Sequence, residues 1–326
     1  MRRRDFIGAL AGAATWPLAA RAQQRALPVI GFLGGESLDL YADRLRGFRQ
    51  GLKEAGFVEG QNVAIEYRWA EGRNDRLPEL AADLARRNVN VIVAGGGFPA
   101  ALAAKTASAA IPIVFQVGSD PVQLGLVASL SRPGGNATGV NSLNGELASK
   151  ELELLHQLVP AAKTLAMLVN PTNPGFRSLV KDRQEAATAM GLELHTLNAS
   201  SATEIDAVFG SVAELHAGGL VISADPFLQS QGDKLAALAL RHSVPAIGQT
   251  RAFVAAGGAM SYGASIVEQL RQVGIYTGRI LKGEKPADLP VQQTTKIDLI
   301  INLKTAMALG ITVPLELLIR ADELIE

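Results

Sequence analysis

Val89-Asn90-Val91-Ile92-Val93-Ala94-Gly95-Gly96-Gly97-Phe98-Pro99 is an almost unbroken apolar run that passes into three glycines and then a proline. An apolar segment of strand length without in–out alternation is buried on both faces, as parallel strands are when helices cover both sides of the sheet. Pro99 fits the first turn of the helix that must follow, because parallel strands need a crossover. The stretch therefore reads as strand, glycine-rich loop, helix.

The same unit recurs on either side. Pro28 to Leu33 reads as a strand, followed by Gly34-Gly35-Glu36-Ser37 and a helix whose apolar positions Leu40, Leu45, Phe48, Leu52 and Ala55 keep helical spacing until Gly56 stops it. Val63 to Tyr67 is a strand, a helix runs from about Arg76 to Arg87, and Ile111 to Val117 is a fourth strand. Later the order returns. Strands are expected at Leu165–Val169, Leu192–Leu197, Leu220–Ser223 and Val244–Ile247, with helices at 174–190, 203–216 and 231–242. The fold class is α/β, with two doubly wound parallel-sheet lobes.

Ser131-Arg132-Pro133-Gly134-Gly135-Asn136 is the clearest linker signal before the second half, and the first crossing is expected near Val140 to Asn144. Gly257-Gly258 and Ser261-Tyr262-Gly263 mark another break, a helix from Val267 to Leu281 follows, and Val291 to Ile301 reads as extended. The expected division is 1–22 as a signal peptide, 23–140 with 263–290 as one lobe, and 141–262 with 291–326 as the other. A chain that crosses repeatedly ties its lobes by hinge strands, and such tethering favours hinge closure.

The N-terminus carries an address. Arg2-Arg3-Arg4-Asp5-Phe6-Ile7 has the twin-arginine pattern, the apolar run from Ile7 to Ala20 is too short to span a bilayer, and Ala20-Arg21-Ala22 offers small residues for cleavage after Ala22. With no cysteine, neither a lipid-modified thiol nor a disulfide framework is available. A free periplasmic protein, exported already folded, is expected.

Removing that segment takes away four arginines and one aspartate, leaving 27 basic and 30 acidic residues and a formal net charge of −3. No basic stripe and no aromatic–basic interleaving is present, so nucleic acid is not an expected partner. Hydrophobic residues make up 48% and aromatics 5%, so the cores are built from Ala, Val, Leu and Ile.

Sheets of this kind bind ligands beyond the carboxyl ends of their strands. That face carries Gly34-Gly35-Glu36-Ser37, Gly95-Gly96-Gly97-Phe98-Pro99 and Gly118-Ser119-Asp120-Pro121 in the first half. In the second half it carries Asn170-Pro171-Thr172-Asn173-Pro174, Ala224-Asp225-Pro226-Phe227 and Gly248-Gln249-Thr250. The candidate ligand-binding residues are Gly35, Ser37, Gly96, Gly97, Phe98, Asp120, Asn141, Asn170, Asn173, Asp225, Phe227, Gln249 and Tyr262. Glycines let backbone approach a ligand, free N–H groups at helix starts favour carboxylate or carbonyl oxygens, and Phe98, Phe227 and Tyr262 offer faces for a planar group. Asp120-Pro121, Asn173-Pro174 and Asp225-Pro226 also read as ordinary helix caps.

Catalytic patterns are missing: no G-x-S-x-G, no G-x-x-x-x-G-K-[ST], no H-E-x-x-H. His156, His195, His216 and His242 are far apart in the chain and lack metal-ligand spacing. No cofactor or metal is implied, and an enzyme is not expected.

Several stretches resemble the tryptophan/tyrosine-type substrate-binding proteins of ABC transporters. These are Pro28-Val29-Ile30-Gly31-Phe32-Leu33, Phe48-Arg49-Gln50-Gly51-Leu52, Gly60-Gln61-Asn62-Val63 and Tyr67-Arg68-Trp69-Ala70-Glu71-Gly72. Further ones are Ile111-Pro112-Ile113-Val114-Phe115, Asp120-Pro121, Arg132-Pro133-Gly134-Gly135-Asn136, Leu168-Val169-Asn170-Pro171, Gly278 to Pro286 and Ile301 to Ala306. The resemblance covers the mature chain. It implies a type I periplasmic-binding fold, two lobes closing on one small organic solute, with an aromatic amino acid or related compound among the candidates and the solute itself not fixed, and delivery by a monomer to a permease and its ATPase. For an amino acid, Asp225 or Asp120 would pair the ammonium, and backbone N–H groups near Ser37, Gly97 or Asn173 would hold the carboxylate. In tryptophan binders a polar residue follows that Asp, whereas here Pro226 does. A ligand-sensing receptor for a signalling partner shares these features and stays open as an alternative, with an α/β enzyme behind it.

Overall fold

The computed structural model describes residues 27–142 and 144–326; the signal sequence read over 1–22 lies outside the described residues. Strand β1 (Val29–Gly34) leads into α1 (Leu38–Glu54), then β2 (Ala64–Trp69), α2 (Leu77–Arg86), β3 (Val91–Ala94), α3 (Gly97–Ala107), β4 (Ile113–Val117) and β5 (Ala137–Asn141). These strands lie in one sheet, in parallel register. The expected linker Ser131–Asn136 is a turn inside this lobe: Ala128 donates to the Pro133 carbonyl, and the Asn136 amide donates to the carbonyls of Ser108 and Ile111, aiming the chain into β5.

The chain crosses after Asn141. Helix α4 (Asn144–Leu158) opens the second lobe, followed by β6 (Thr164–Val169), α5 (Phe176–Ala189), β7 (Glu193–Asn198), α6 (Ala202–Glu214), β8 (Leu220–Ile222), α7 (Pro226–Ser230), α8 (Gly232–Arg241), β9 (Ala246–Gly248), α9 (Arg251–Ala255) and β10 (Met260–Ala264). It crosses back into α10 (Ile266–Leu281) and β11 (Gln292–Gln293), which pairs with β5. A third crossing leads to β12 (Ile297–Asn302), α11 (Leu303–Ala308), α12 (Leu315–Arg320) and β13 (Glu323–Ile325), all in the second lobe.

The sheet orders are β11-β5-β4-β3-β1-β2 and β13-β12-β10-β9-β8-β6-β7. Within them, β2-β1-β3-β4-β5 and β7-β6-β8-β9-β10 repeat one arrangement, so the internal echo in the sequence is an architectural one. Pairing is parallel throughout except between β10 and β12.

One reading is corrected. Ser261-Tyr262-Gly263 is not a break but the middle of β10, which pairs with β9 at Met260 and Ser261 and with β12 as far as Ala264. Gly263 stands in a strand because a Cβ there would lie 2.3 Å from the Gln249 carbonyl oxygen. The crossing therefore falls at Ala264–Ile266, not before Gly263.

Amphipathic spacing fixes the packing. Leu45, Phe48 and Leu52 of α1 are at most 1% exposed and share a core cluster with Leu270 and Val273 of α10 and with Ile30 and Phe32 of β1. Burying each such side chain contributes about 1.5–3 kcal/mol. Helix α10, far along the chain, is thereby part of the first lobe's core.

Candidate functional site

In each sheet the strand order reverses once, between β1 and β3 and between β6 and β8, and crevices for ligands open at the carboxyl ends flanking such a reversal. The loops there are Gly34–Ser37 and Gly95–Gly97 in one lobe, Asn170–Asn173 and Ser223–Pro226 in the other. They face one another. A Cβ on Gly35 would lie 2.9 Å from Pro226 Cβ of the opposite lobe and 3.2 Å from Gly96 Cα, so only glycine permits this approach.

Between them is a cavity of about 70 Å³. The first lobe contributes Glu36, Arg44, Gly95, Gly96, Gly97, Phe98, Gln116, Ser119, Ile266 and Gln269 to its walls. Asn173, Leu179, Asp225, Pro226, Gln229, Gln249 and Ala264 come from the second. The lining is rich in amides and hydroxyls, with Phe98 its one aromatic side chain among the described residues.

Asp225 is buried at the start of α7 and holds several donors. Oδ1 accepts from the backbone N–H groups of Phe227 (2.9 Å) and Leu228 (3.2 Å) and from the Asn170 amide (3.0 Å). Oδ2 accepts from the Asn173 amide at 2.9 Å. The cap reading of Asp225-Pro226 thus describes real bonds. Burial pushes its carboxyl above the ordinary range, and those hydrogen bonds oppose the push.

Across the cleft, Glu36 is 2% exposed and accepts from Arg44 Nη1 at 2.5 Å. Burial raises its carboxyl, the Arg44 guanidinium pulls it back, and Asp225 adds a smaller like-charge push. Two carboxylates therefore face one chamber that holds one guanidinium. In the first lobe the Gln116 amide donates to Gln269 Oε1 at 2.7 Å, joining β4 to α10. In the second, Gln249 is tied to Glu151, which pairs with the fully buried Arg183.

Of the residues expected from sequence, Gly96, Gly97, Phe98, Asn173, Asp225 and Gln249 line this cavity. Asn170 stands behind the wall, orienting Asp225, and Gly35 sits at the lobe contact. Ser37 precedes α1 without making a side-chain cap, and Asp120 caps its own turn through the N–H of Val122 at 2.8 Å. Asn141 is fully buried at the end of β5. Phe227 packs in the second lobe's core, and Tyr262 lies against another cluster of that lobe, so neither presents a face to the cavity. Sequence reasoning missed Arg44, Gln116, Gln229 and Gln269, and Glu36 was quoted in its loop without being chosen. Arg44 is a mid-helix polar residue, Gln269 one in the first turn of α10 and Gln116 a strand one, and spacing does not set them apart.

Among the described residues no group of His, Cys, Asp or Glu could hold a metal ion, and no helix is long and apolar enough to cross a membrane.

A family model described as ABC transporter substrate binding protein matches residues 27–325. A tyrosine-binding protein of Clostridioides difficile (strain R20291) is 26% identical over 265 residues, 81% of this chain and 75% of that protein. Among solved structures, a conserved domain protein from Vibrio cholerae is 28% identical with a TM-score of 0.84, covering 91% of this chain and 99% of that one. An ABC domain in complex with L-Trp from Streptococcus pneumonia is 26% identical with a TM-score of 0.83, covering 92% and 100%. The two-lobed architecture is that of type I periplasmic binding proteins. The chain belongs to the ABC transporter substrate binding proteins, which bind small organic solutes and work with the components of an ABC transporter.

Proposed function

We propose that this protein is the exported, periplasmic receptor of an ABC importer, and that it captures an amine-bearing small acid between its lobes by hinge closure. The observation that carries this reading is the chamber at the two strand-order reversals, walled by polar groups of both lobes. Residues 27–141 with 266–293 move as one body, and 144–264 with 297–326 as the other. The tethers at 141–144, 264–266 and 293–297 are the hinge.

The solute's ammonium is assigned to Asp225 Oδ2, which accepts from the Asn173 amide, with Glu36 opposite. Its carboxylate is assigned to the free N–H groups of Gly97 and Phe98, because α3 starts without a side-chain cap. Phe98, Leu179 and Ile266 are left for an apolar side chain. An aromatic amino acid fits this division, and the tyrosine-binding relative and the L-Trp complex support the same class. Binding proceeds without turnover, in a monomer, and the loaded form is passed to the permease.

Mass spectrometry of the small molecule carried through purification tests the reading, followed by calorimetry with L-tyrosine, L-tryptophan and their deaminated analogues. The expected result is micromolar or tighter binding of an amino acid, loss with the deaminated analogue, and recovery of the solute unchanged. Equal binding of both would remove Asp225 and Glu36 from ammonium recognition. N-terminal sequencing of the exported protein is expected to begin at Gln23.

A further inference from the structure

One side chain both bridges the lobes and bounds the chamber. Arg44 leaves α1 with Nη1 on Glu36 Oε1 at 2.5 Å and its guanidinium carbon 4.9 Å from the centre of the Tyr41 ring, so it is fixed within its own lobe. Its other terminal nitrogen, Nη2, donates to Gln229 Oε1 of the opposite lobe at 3.1 Å. A second side-chain bond across the cleft, from Asn74 to Thr172, is longer at 3.4 Å and exposed. Arg44 also lines an outer groove between the lobes, whose walls include Leu40, Thr250 and Asp298, so it forms part of the partition between that groove and the solute chamber.

We propose that Arg44 is a retention residue: anchored by Glu36 and Tyr41, it clasps Gln229 when the lobes meet and shuts the path from chamber to outer groove. The inference rests on capture by closure. It concerns how the closed form is held, whatever the solute.

The chemistry suits a reversible clasp. The guanidinium is already ordered and already neutralised by Glu36, so bridging costs little additional entropy or desolvation. Its partner across the cleft is a neutral amide, and on opening both groups return to water without leaving a buried charge unpaired. A carboxylate in place of Gln229 would make opening far more costly. Arg44 here is a positioning residue whose contribution exists without solute.

The test uses the full chain without solute. Its lack of cysteine allows clean spin labelling of Glu79→Cys on α2 and Thr203→Cys on α6, exposed positions in opposite lobes. In that background Gln229→Met keeps the side-chain length and removes the acceptor, while Gln229→Ala removes both. Both are expected to lower the closed-to-open ratio in the distance distribution by roughly threefold to tenfold, with unchanged urea midpoints. A wild-type distribution that is already fully open, variants that match the wild type, or an effect of Ala alone would overturn the clasp. Adding L-tyrosine or L-tryptophan to the wild type reads the capture hypothesis separately: failure to compact with either counts against amino-acid capture, while the solute-free comparison still decides the clasp.

Discussion

Gln249, in the cavity wall, donates through Nε2 to Glu151 Oε1 at 2.7 Å, and so ties that wall to α4, the first helix after the chain leaves the first lobe. The other carboxylate oxygen of Glu151 accepts from Arg183 Nη2 at 2.5 Å, and both ionic side chains are at most 1% exposed. A buried pair of this kind is neutral in net charge but intolerant of losing one member.

Removing Glu151 alone strands the Arg183 guanidinium in the core and takes from Gln249 one of its hydrogen-bond partners. Glu151→Ala is expected to cost about 3–5 kcal/mol of unfolding free energy, read as a drop in urea midpoint. Replacing both charges, as Glu151→Leu with Arg183→Met, is expected to cost less than the single substitution. A single variant as stable as the wild type would mean that the pair does not organise this lobe.

Asp225→Ala removes the cap of α7 and the acceptor assigned to the solute ammonium. About 0.5–2 kcal/mol of stability should go with the cap, leaving a folded protein. Solute affinity should fall at least tenfold by calorimetry, and unchanged affinity would place the ammonium elsewhere.

The two chamber carboxylates give closure a pH dependence with a definite sign. Burial lifts Glu36 above its ordinary 4.5 and Asp225 above its ordinary 3.8. Opening hydrates and separates them, so the shut form holds protons more tightly than the open one. Lowering pH from about 7 toward the ordinary carboxylate range should therefore increase the shut fraction of solute-free protein, and raising it should reverse the change. With an amine-bearing solute the sign inverts, because its ammonium needs ionised carboxylates. The label distances described above, followed across this range with and without solute, check both halves.

Gly35→Ala places a methyl group 2.9 Å from Pro226 Cβ and against the Gly96 backbone. The expected result is faster solute dissociation in stopped-flow measurements, with association nearly unchanged, because the open form has no Pro226 to meet.

Phe98 lines the chamber and Tyr262 does not. Phe98→Ala should weaken binding of an aromatic solute by more than tenfold, while Tyr262→Phe should stay within about twofold. The opposite ranking would restore Tyr262 as a contact.

Strand and helix order was legible in the sequence because nearly continuous apolar strands alternate with amphipathic helices, and because the loops between them carry glycine, proline and asparagine. A part of the cavity wall was legible for the same reason: Gly96, Gly97, Asn173, Asp225 and Gln249 sit where a strand hands over to a helix. Arg44 was not, since α1 also carries Arg46 and Arg49, and its partners Glu36 and Gln229 reach it only in the fold. Gln116 and Gln269 meet across 153 residues of chain, a distance no local pattern encodes. Phe227 misled because a residue beside a cavity-lining Asp can still turn inward: the Asp225 cap bonds its N–H, and its ring joins Ile222, Leu228 and Phe253. Tyr262 misled because Gly263 read as a loop, when it is a strand residue under the Gln249 backbone.

The late return of α10 has a consequence for biosynthesis. Leu270 and Val273 complete a cluster begun by Leu45 and Phe48, with the second lobe threaded between them in the chain. A nascent polypeptide released at residue 141 would have β1 beneath α1 but would leave uncovered the part of α1 that packs on α10. The ribosome must translate beyond residue 280 before that surface closes, so maturation is a single late event rather than one lobe after another, and it depends on contacts of long sequence separation that form slowly.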